Sequence, residues 1–328
     1  MREDVNTSPR SESCDRALRC SPPSSISDEA RAALRDIIVA DASYPDLHDT
    51  EGWVEHISHV DASYSNFEQM LPGDPSVKSE RRTIAGVQVV AAAPVKPIAN
   101  GAKIYLDIHG GGLVYLGGRL VDGWARSIAF RTGASVISVD YRMPPKHPFP
   151  AGLDDCLSVY RALVERHGAE NLIVGGGSAG GNLAMALLLR ARDEGVPLPA
   201  GLVLLTPEVD LTESGDTFQT LLGLDRMASL GPINQLYAAG VRLDHPYVSP
   251  LFGNFDNSFP PTFLQSGTRD LFLSNTVRMH RTLRKAGVPA ELHIWEAMPH
   301  GRFLNAPEDL ELDDEVRDFI AKIWNVNR

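Results

Sequence analysis

The stretch that most constrains this chain is Asn171 to Asn182, N-L-I-V-G-G-G-S-A-G-G-N. A short apolar run, Leu172 to Val174, meets a cluster of glycines around Ser178, and a helix-favouring run, Leu183 to Arg190, follows at once. Strand, tight turn and helix in succession put the serine at the turn. Gly176-Gly177-Ser178-Ala179-Gly180 fits G-x-S-x-G, the nucleophile elbow, where the serine backbone is strained and side chains two residues away would collide with the adjoining strand and helix. The helix N-terminus behind the serine favours negative charge nearby. The same segment, as Gly175 to Gly180, also fits G-x-G-x-x-G, the dinucleotide fingerprint. The rest of the chain has to separate the two readings.

Strand and helix signals take turns on either side of this turn. The pattern predicts strands at Ala102–Ile108, Ala134–Val139, Leu172–Val174, Gly201–Leu205, Thr262–Gln265 and Ala290–Ile294. Between and after them it predicts helices at Val121–Arg131, Leu153–His167, Ser178–Glu194, Ser274–Ala286 and Asp309–Trp324. The strands read as apolar runs, which suits a parallel sheet covered on both faces. Such alternation implies a doubly wound α/β sheet with right-handed crossovers. Ahead of it, Val77–Ala93 alternates around Gly86, which suggests two strands joined by a tight turn.

Two further regions flank this core. Residues 28–75 read as N-terminal cap helices, one from the N-cap Ser27 to Ala40 and one over Glu51–Leu71 that carries Trp53 and Phe67, expected in the core. Residues 76–328 form the main domain, broken at about 208–259 by an irregular insert with a short helix near Ile233–Ala239. Residues 1–27 are rich in Ser, Pro, Arg and Asp without an apolar core segment, so they read as a disordered tail and not a signal peptide.

With 328 residues the chain is long enough for a sizeable core. Its net charge of -11 argues against nucleic acid or an anionic membrane as a main partner. No run approaches the ~20 apolar residues of a membrane-spanning helix. Of three cysteines, Cys14 and Cys20 lie in the polar tail and Cys156 on an expected helix, so reduced thiols and a cytoplasmic setting are the plain reading.

In open α/β sheets, ligands collect beyond the carboxyl ends of the strands. Four chemistry-bearing segments stand at such ends: Asp107-Ile108-His109-Gly110-Gly111-Gly112, the serine turn, Gly267-Thr268-Arg269-Asp270, and Met298-Pro299-His300-Gly301. A serine, an aspartate and a histidine therefore occur in the order Ser178, Asp270, His300, each just past a strand. In that arrangement His300 takes the proton of the weakly nucleophilic Ser178 and later returns it to a leaving group. Asp270 holds the ring in the right tautomer. The amides of Gly110, Gly111 and Ala179 are then candidate donors to a tetrahedral oxyanion, each worth about 2.7–4 kcal/mol of barrier.

Each residue also has a plainer reading: a structural serine turn, a strand-end histidine, a turn aspartate, a glycine loop. It is their joint occurrence at four strand ends, in one order, that argues for catalysis. The dinucleotide reading leaves His109, Asp270 and His300 unexplained. It also lacks an acid at the end of the next strand, near Thr206, because Glu208 and Asp210 come too late. No G-x-x-x-x-G-K-[ST] loop and no metal-ligand spacing occur, so neither cofactor nor metal is expected.

With these residues in place the chain resembles the hormone-sensitive-lipase-like branch of α/β-hydrolases, over roughly Pro75 to the C-terminus. The likeness rests on His109-Gly110-Gly111-Gly112, the elbow at Ser178, and Asp140-Tyr141-Arg142-Met143-Pro144-Pro145-Lys146-His147-Pro148-Phe149-Pro150-Ala151, close to D-Y-R-L-A-P-E-x-P-F-P-A. It implies an eight-stranded, mostly parallel sheet with helices on both faces and a helical cap. It also implies a carboxylesterase with nucleophile Ser178, acid Asp270 and base His300. The chain also departs from the family pattern. Gly177 replaces an acidic residue of G-D-S-A-G, Ser274 stands where D-P-L-x-D has its second aspartate, Lys146 replaces a glutamate, and Arg302 is inserted into H-G-F.

The expected function is hydrolysis of small or short-chain acyl esters through an acyl-enzyme on Ser178, in an apolar pocket with Leu113, Val114 and Tyr115 among its lining. A lactone, carbamate or amide hydrolase using the same triad, or a non-catalytic ligand receptor on the same fold, are the alternatives. Expected partners are a small-molecule ester and a second copy of the chain in a homodimer, with no nucleic acid and no stable membrane association.

Overall fold

A computed structural model of the chain describes residues 20–37, 43–64, 74–99 and 101–326. Most of the tail with Cys14, the ends of the two cap-helix readings beyond 37 and 64, and Phe67 lie outside the described residues.

Eight strands form one sheet in the order β1-β2-β4-β3-β5-β6-β7-β8. They are β1 Lys78–Ile84, β2 Val87–Ala93, β3 Ile104–Ile108, β4 Val136–Val139, β5 Leu172–Gly177, β6 Gly201–Leu205, β7 Thr262–Arg269 and β8 Ala290–Pro299. β1 and β2 make an antiparallel hairpin, and β2 pairs antiparallel with β4. All pairings from β4 onwards are parallel. The hairpin turns at Ala85-Gly86, both with positive φ of 49° and 82°, the backbone that two-residue hairpin loops require.

Side chains alternate between the two faces of the central strands, so each apolar run feeds two cores. On one face, Leu106, Ile108, Leu172, Val174, Leu202 and Leu204 pack with helices α4 (Ala151–His167), α5 (Ala179–Asp193) and α8 (Leu273–Lys285). On the other, Tyr105, Val136, Ile173, Val203 and Phe263 meet α3 (Leu120–Thr132) and α9 (Pro307–Trp324). The first N-terminal helix, α1 (Asp28–Arg35), joins this second core through Ala30 and Leu34. Ser27 is its N-cap, accepting from the Ala30 amide at 3.0 Å.

Above the carboxyl edge lies a third, smaller cluster. Here Trp53 of α2 (Thr50–Ser63) packs with Val114, Phe218, Leu230, Ile233, Leu271 and Phe272. Phe218 sits on a one-turn helix, α6 (Thr217–Thr220), and Ile233 on α7 (Gly231–Ala238), both within the insert. Trp53 is fully buried, as its core reading required.

Two strands run further than their apolar stretches. β7 continues to Arg269 and β8 to Pro299, because the two keep pairing past the polar residues through a register shift at Gly267/Arg269. That extension carries Asp270 and the Pro299-His300 step to the sheet's rim. None of the described helices is long and apolar enough to cross a membrane.

Candidate active site

Ser178 occupies the β5–α5 turn with φ 55° and ψ -125°, a left-handed backbone that a non-glycine residue adopts only under constraint. The constraint is visible. The Ser178 amide donates to the Leu205 carbonyl at 2.9 Å, and its own carbonyl accepts from Gly181 at 2.9 Å and from Glu208 at 3.0 Å. A Cβ on Gly180 would run into the Ile108 carbonyl on β3, and one on Gly176 into the helix backbone at Gly180, so both positions require glycine. At Gly177, where the chain departs from G-D-S-A-G, a Cβ would meet nothing nearer than 3.6 Å. The elbow therefore leaves ordinary van der Waals room for a Cβ at 177.

The loop after β3 lies directly against the elbow. A Cβ on Gly110 would stand 3.0 Å from the Gly177 carbonyl oxygen and 3.3 Å from Ser178 Cβ. Gly111 has φ +112°, a conformation glycine alone takes without strain. His109 is buried, and burial lowers its pKa, so it supports this loop as a neutral ring. Its Nδ1 lies 2.7 Å from the Gly110 carbonyl, and its ring stacks on Tyr141 at 4.2 Å.

Tyr141 in turn donates its hydroxyl to the His109 carbonyl at 3.0 Å. Its neighbours complete the brace: Asp140 accepts from the Gly118 amide at 2.8 Å, and Arg142 makes a forked pair with Asp155. The Asp140–Ala151 motif thus props the glycine loop from behind. Lys146, one of its departures, is exposed.

At the ends of β7 and β8, Asp270 and His300 meet. Asp270 Oδ1 lies 3.0 Å from His300 Nδ1, with the aspartate fully buried and the histidine nearly so. Asp270 is further held by the Ser266 hydroxyl at 2.6 Å and the Phe272 amide at 2.9 Å. Phe272 packs edge-on to the imidazole, centroids 4.7 Å apart. The carboxylate leaves Nδ1 as donor and Nε2 free to accept a proton. Ser274, at the position of the second aspartate in D-P-L-x-D, instead donates to and accepts from the insert residue Thr217.

One acid of this site was not legible in the sequence. Asp225, in the insert, is fully buried beside Asp270 and His300, with one ligand-capable atom of each of the three within 4.8 Å of the others. Its Oδ1 accepts from the His300 amide at 2.9 Å and the Arg226 amide at 2.6 Å, and its Oδ2 from the Leu271 amide at 2.7 Å. Every carboxylate oxygen of Asp225 and Asp270 thus already accepts an N–H or O–H. The trio is a hydrogen-bonded cluster.

The proposed pocket residues divide. Leu113 packs into the main core, whereas Val114 and Tyr115 join the cluster around Trp53. The cap is pinned there by His56 Nε2 at 3.0 Å from the Tyr115 hydroxyl and by Asp61, which accepts from the Leu116 amide at 2.9 Å. Arg302 is the inserted residue. It is buried against α9, pairing with Asp313 and donating to the Asp309 carbonyl at 3.0 Å.

A protein-family model described as the alpha/beta hydrolase fold matches residues 105–304, which span the glycine loop, the elbow, Asp270 and His300. This chain is an α/β-hydrolase of the hormone-sensitive-lipase-like branch. Among relatives of this α/β-hydrolase, an esterase of Acinetobacter venetianus is 29% identical over 263 residues, 78% of this chain and 86% of that protein. The solved structure of an esterase, E25, superposes with a TM-score of 0.84 at 34% identity, covering 94% of this chain and 97% of E25. An esterase from the bacterial hormone-sensitive lipase family gives a TM-score of 0.77 at 27% identity, over 95% and 98% of the two chains. The hydrolase is of the carboxylesterase type, a serine hydrolase.

Proposed function

We propose that this hydrolase cleaves small or short-chain carboxylic esters by acyl transfer through Ser178. The observation that carries the reading is the 3.0 Å bond between His300 Nδ1 and Asp270 at the sheet edge where the strained Ser178 turn stands. His300 Nε2 takes the Ser178 proton as Oγ bonds to the ester carbonyl carbon. The developing oxyanion is met by the amides of Gly110, Gly111 and Ala179. Collapse breaks the bond to the alkoxide, which leaves with the proton from His300. Water, deprotonated by the same imidazole, then releases the acid and restores Ser178.

The preference for short acyl chains is supported by the crowding above the site. Trp53, Phe218, Ile233 and Phe272 fill the space between cap, insert and acid loop with large side chains. The proton shuttle is complete without a cofactor, and the cytoplasmic setting read from the cysteines belongs to the same proposal.

The test is hydrolysis of p-nitrophenyl esters from acetate to palmitate, wild type beside Ser178→Ala. A short-chain optimum that disappears with the alanine is the expected result. A folded wild type that turns over no chain length would overturn ester hydrolysis. It would leave lactones, carbamates and amides as the substrates to try with the same triad, and a ligand receptor if those fail too.

A further inference from the structure

Asp225 reaches the site from the insert, 46 residues before Leu271 and 75 before His300. With one carboxylate it binds the main chain immediately after Asp270 and the main chain of His300 itself. We infer that Asp225 is a positioning residue for the reaction, clamping the acid loop and the base loop to each other so that the imidazole stays aligned between Asp270 and the serine. This inference rests on the ester-hydrolysis reading.

Two features separate this role from that of a loop staple. The first is geometry. Asp270 controls only the ring of His300, through Nδ1, and a ring can still shift if its backbone does. Asp225 removes that freedom by holding the His300 amide at 2.9 Å while its other oxygen holds the Leu271 amide at 2.7 Å. A misplacement of about 1 Å in such a constellation lowers rates by about a hundredfold.

The second feature is charge. Asp270 and His300 face Asp225 in the dry interior, and the Arg226 guanidinium adds a positive charge from its own loop. Burial, then the Asp270 charge, raise the Asp225 carboxyl to about 6, so its charge is present above that pH. When His300 takes up the serine's proton, the imidazolium has a second carboxyl group within 4.8 Å besides that of Asp270. A neutral acceptor could still staple the loops through part of these amides. It would not stabilise that cation.

The experiment uses the full chain and p-nitrophenyl butyrate, with wild type, Asp225→Asn and Asp225→Ser compared per active site titrated by a phosphonate ester. Asparagine keeps the shape but loses the charge and turns an amino group towards one of three N–H donors. Serine keeps a single acceptor and covers the case where the asparagine protein is insoluble. The expected result is a fall in kcat of about ten- to a hundredfold with KM little changed. The acid limb of the kcat/KM profile moves to lower pH, since the protonated imidazole loses a neighbouring negative charge.

If kcat per titrated site and the acid limb both stay at their wild-type values while only the melting temperature drops, Asp225 is a staple and the inference is wrong. A wild type without ester turnover removes the reading beneath it and the inference with it, whereas turnover with an unaltered Asn variant removes this inference alone.

Discussion

The guanidinium of Arg302 closes onto the carboxylate of Asp313, eleven residues further along the chain, where both side chains are almost wholly buried. Arg131 approaches the same carboxylate at 2.9 Å from α3. Burial pushes the Asp313 carboxyl up, but the two guanidinium groups outweigh it and hold it below the usual carboxylate range. The Arg302 guanidinium is itself lowered to about 10 by burial and by Arg131. The residue inserted after His300-Gly301 therefore ties the histidine loop to α9 and α3.

Breaking this tie leaves Asp309 and Asp313 with fewer donors in a dry interior. Arg302→Met is expected to lower stability by about 3–5 kcal/mol, the usual result of removing one partner of a buried ion pair. Urea unfolding of the two proteins measures it. An unchanged midpoint would show that Arg131 alone satisfies the carboxylate.

Asp270→Asn tests the imidazole's partner. An amide at this position favours the wrong tautomer of His300, and kcat is expected to fall by about 10⁴-fold with little change in KM. Steady-state kinetics on a short-chain ester reads both constants. A loss confined to KM would mean that Asp270 shapes the pocket and leaves the proton transfer to other groups.

Gly110→Ala tests the glycine loop. The new methyl would press on the Gly177 carbonyl at 3.0 Å and on Ser178 Cβ at 3.3 Å, pushing an oxyanion donor away from the serine. The loss of one such donor costs about 10²- to 10³-fold in kcat. The melting temperature should change far less, because the loop lies at the rim of the sheet. Wild-type kcat in the alanine variant would exclude the Gly110 amide as a donor.

Glu208 offers a pH test. It is buried beside the elbow, and burial, followed by the nearby Glu213 charge, raises its carboxyl to about 8 against a small opposing effect of the Asn234 amide. The folded chain thus keeps this proton where the unfolded chain, with a pKa near the ordinary 4.5, has lost it. Folded protein binds more protons between these values, so the residue's contribution to stability declines as pH rises from about 4.5 to 8. Glu208→Gln escapes the decline. Relative to wild type its melting temperature should rise by about 5 °C between pH 5 and pH 9. Scans at the two pH values decide it, and a difference that is constant with pH would mean that Glu208 is already ionised in the fold.

Much of the site was legible because it is written locally. An apolar run ended by glycines predicts a strand and the turn beyond it, and Ser178, Asp270, His300 and the His109–Gly112 loop all stand at such ends. The ends of β7 and β8 were less legible. Their polar last residues are held in the sheet by each other and by the register shift at Gly267/Arg269, which no single strand encodes. The insert hid the most. Asp225 sits in a stretch without periodicity, and its partners are backbone amides, which leave no trace in residue identity.

The order and spacing of strands, helices and glycine turns, and with them the residues brought to the sheet's carboxyl edge, were determined by the sequence alone. Short-range sterics and side-chain alternation act within a few residues. The tertiary structure decided which distant groups complete the site: Asp225 beneath His300, Asp313 on Arg302, and His56 and Asp61 on the loop at Tyr115 and Leu116. Those pairings join residues far apart in the chain, and a buried carboxylate or imidazole finds its partner only once the strand order has brought the segments together and excluded water from between them.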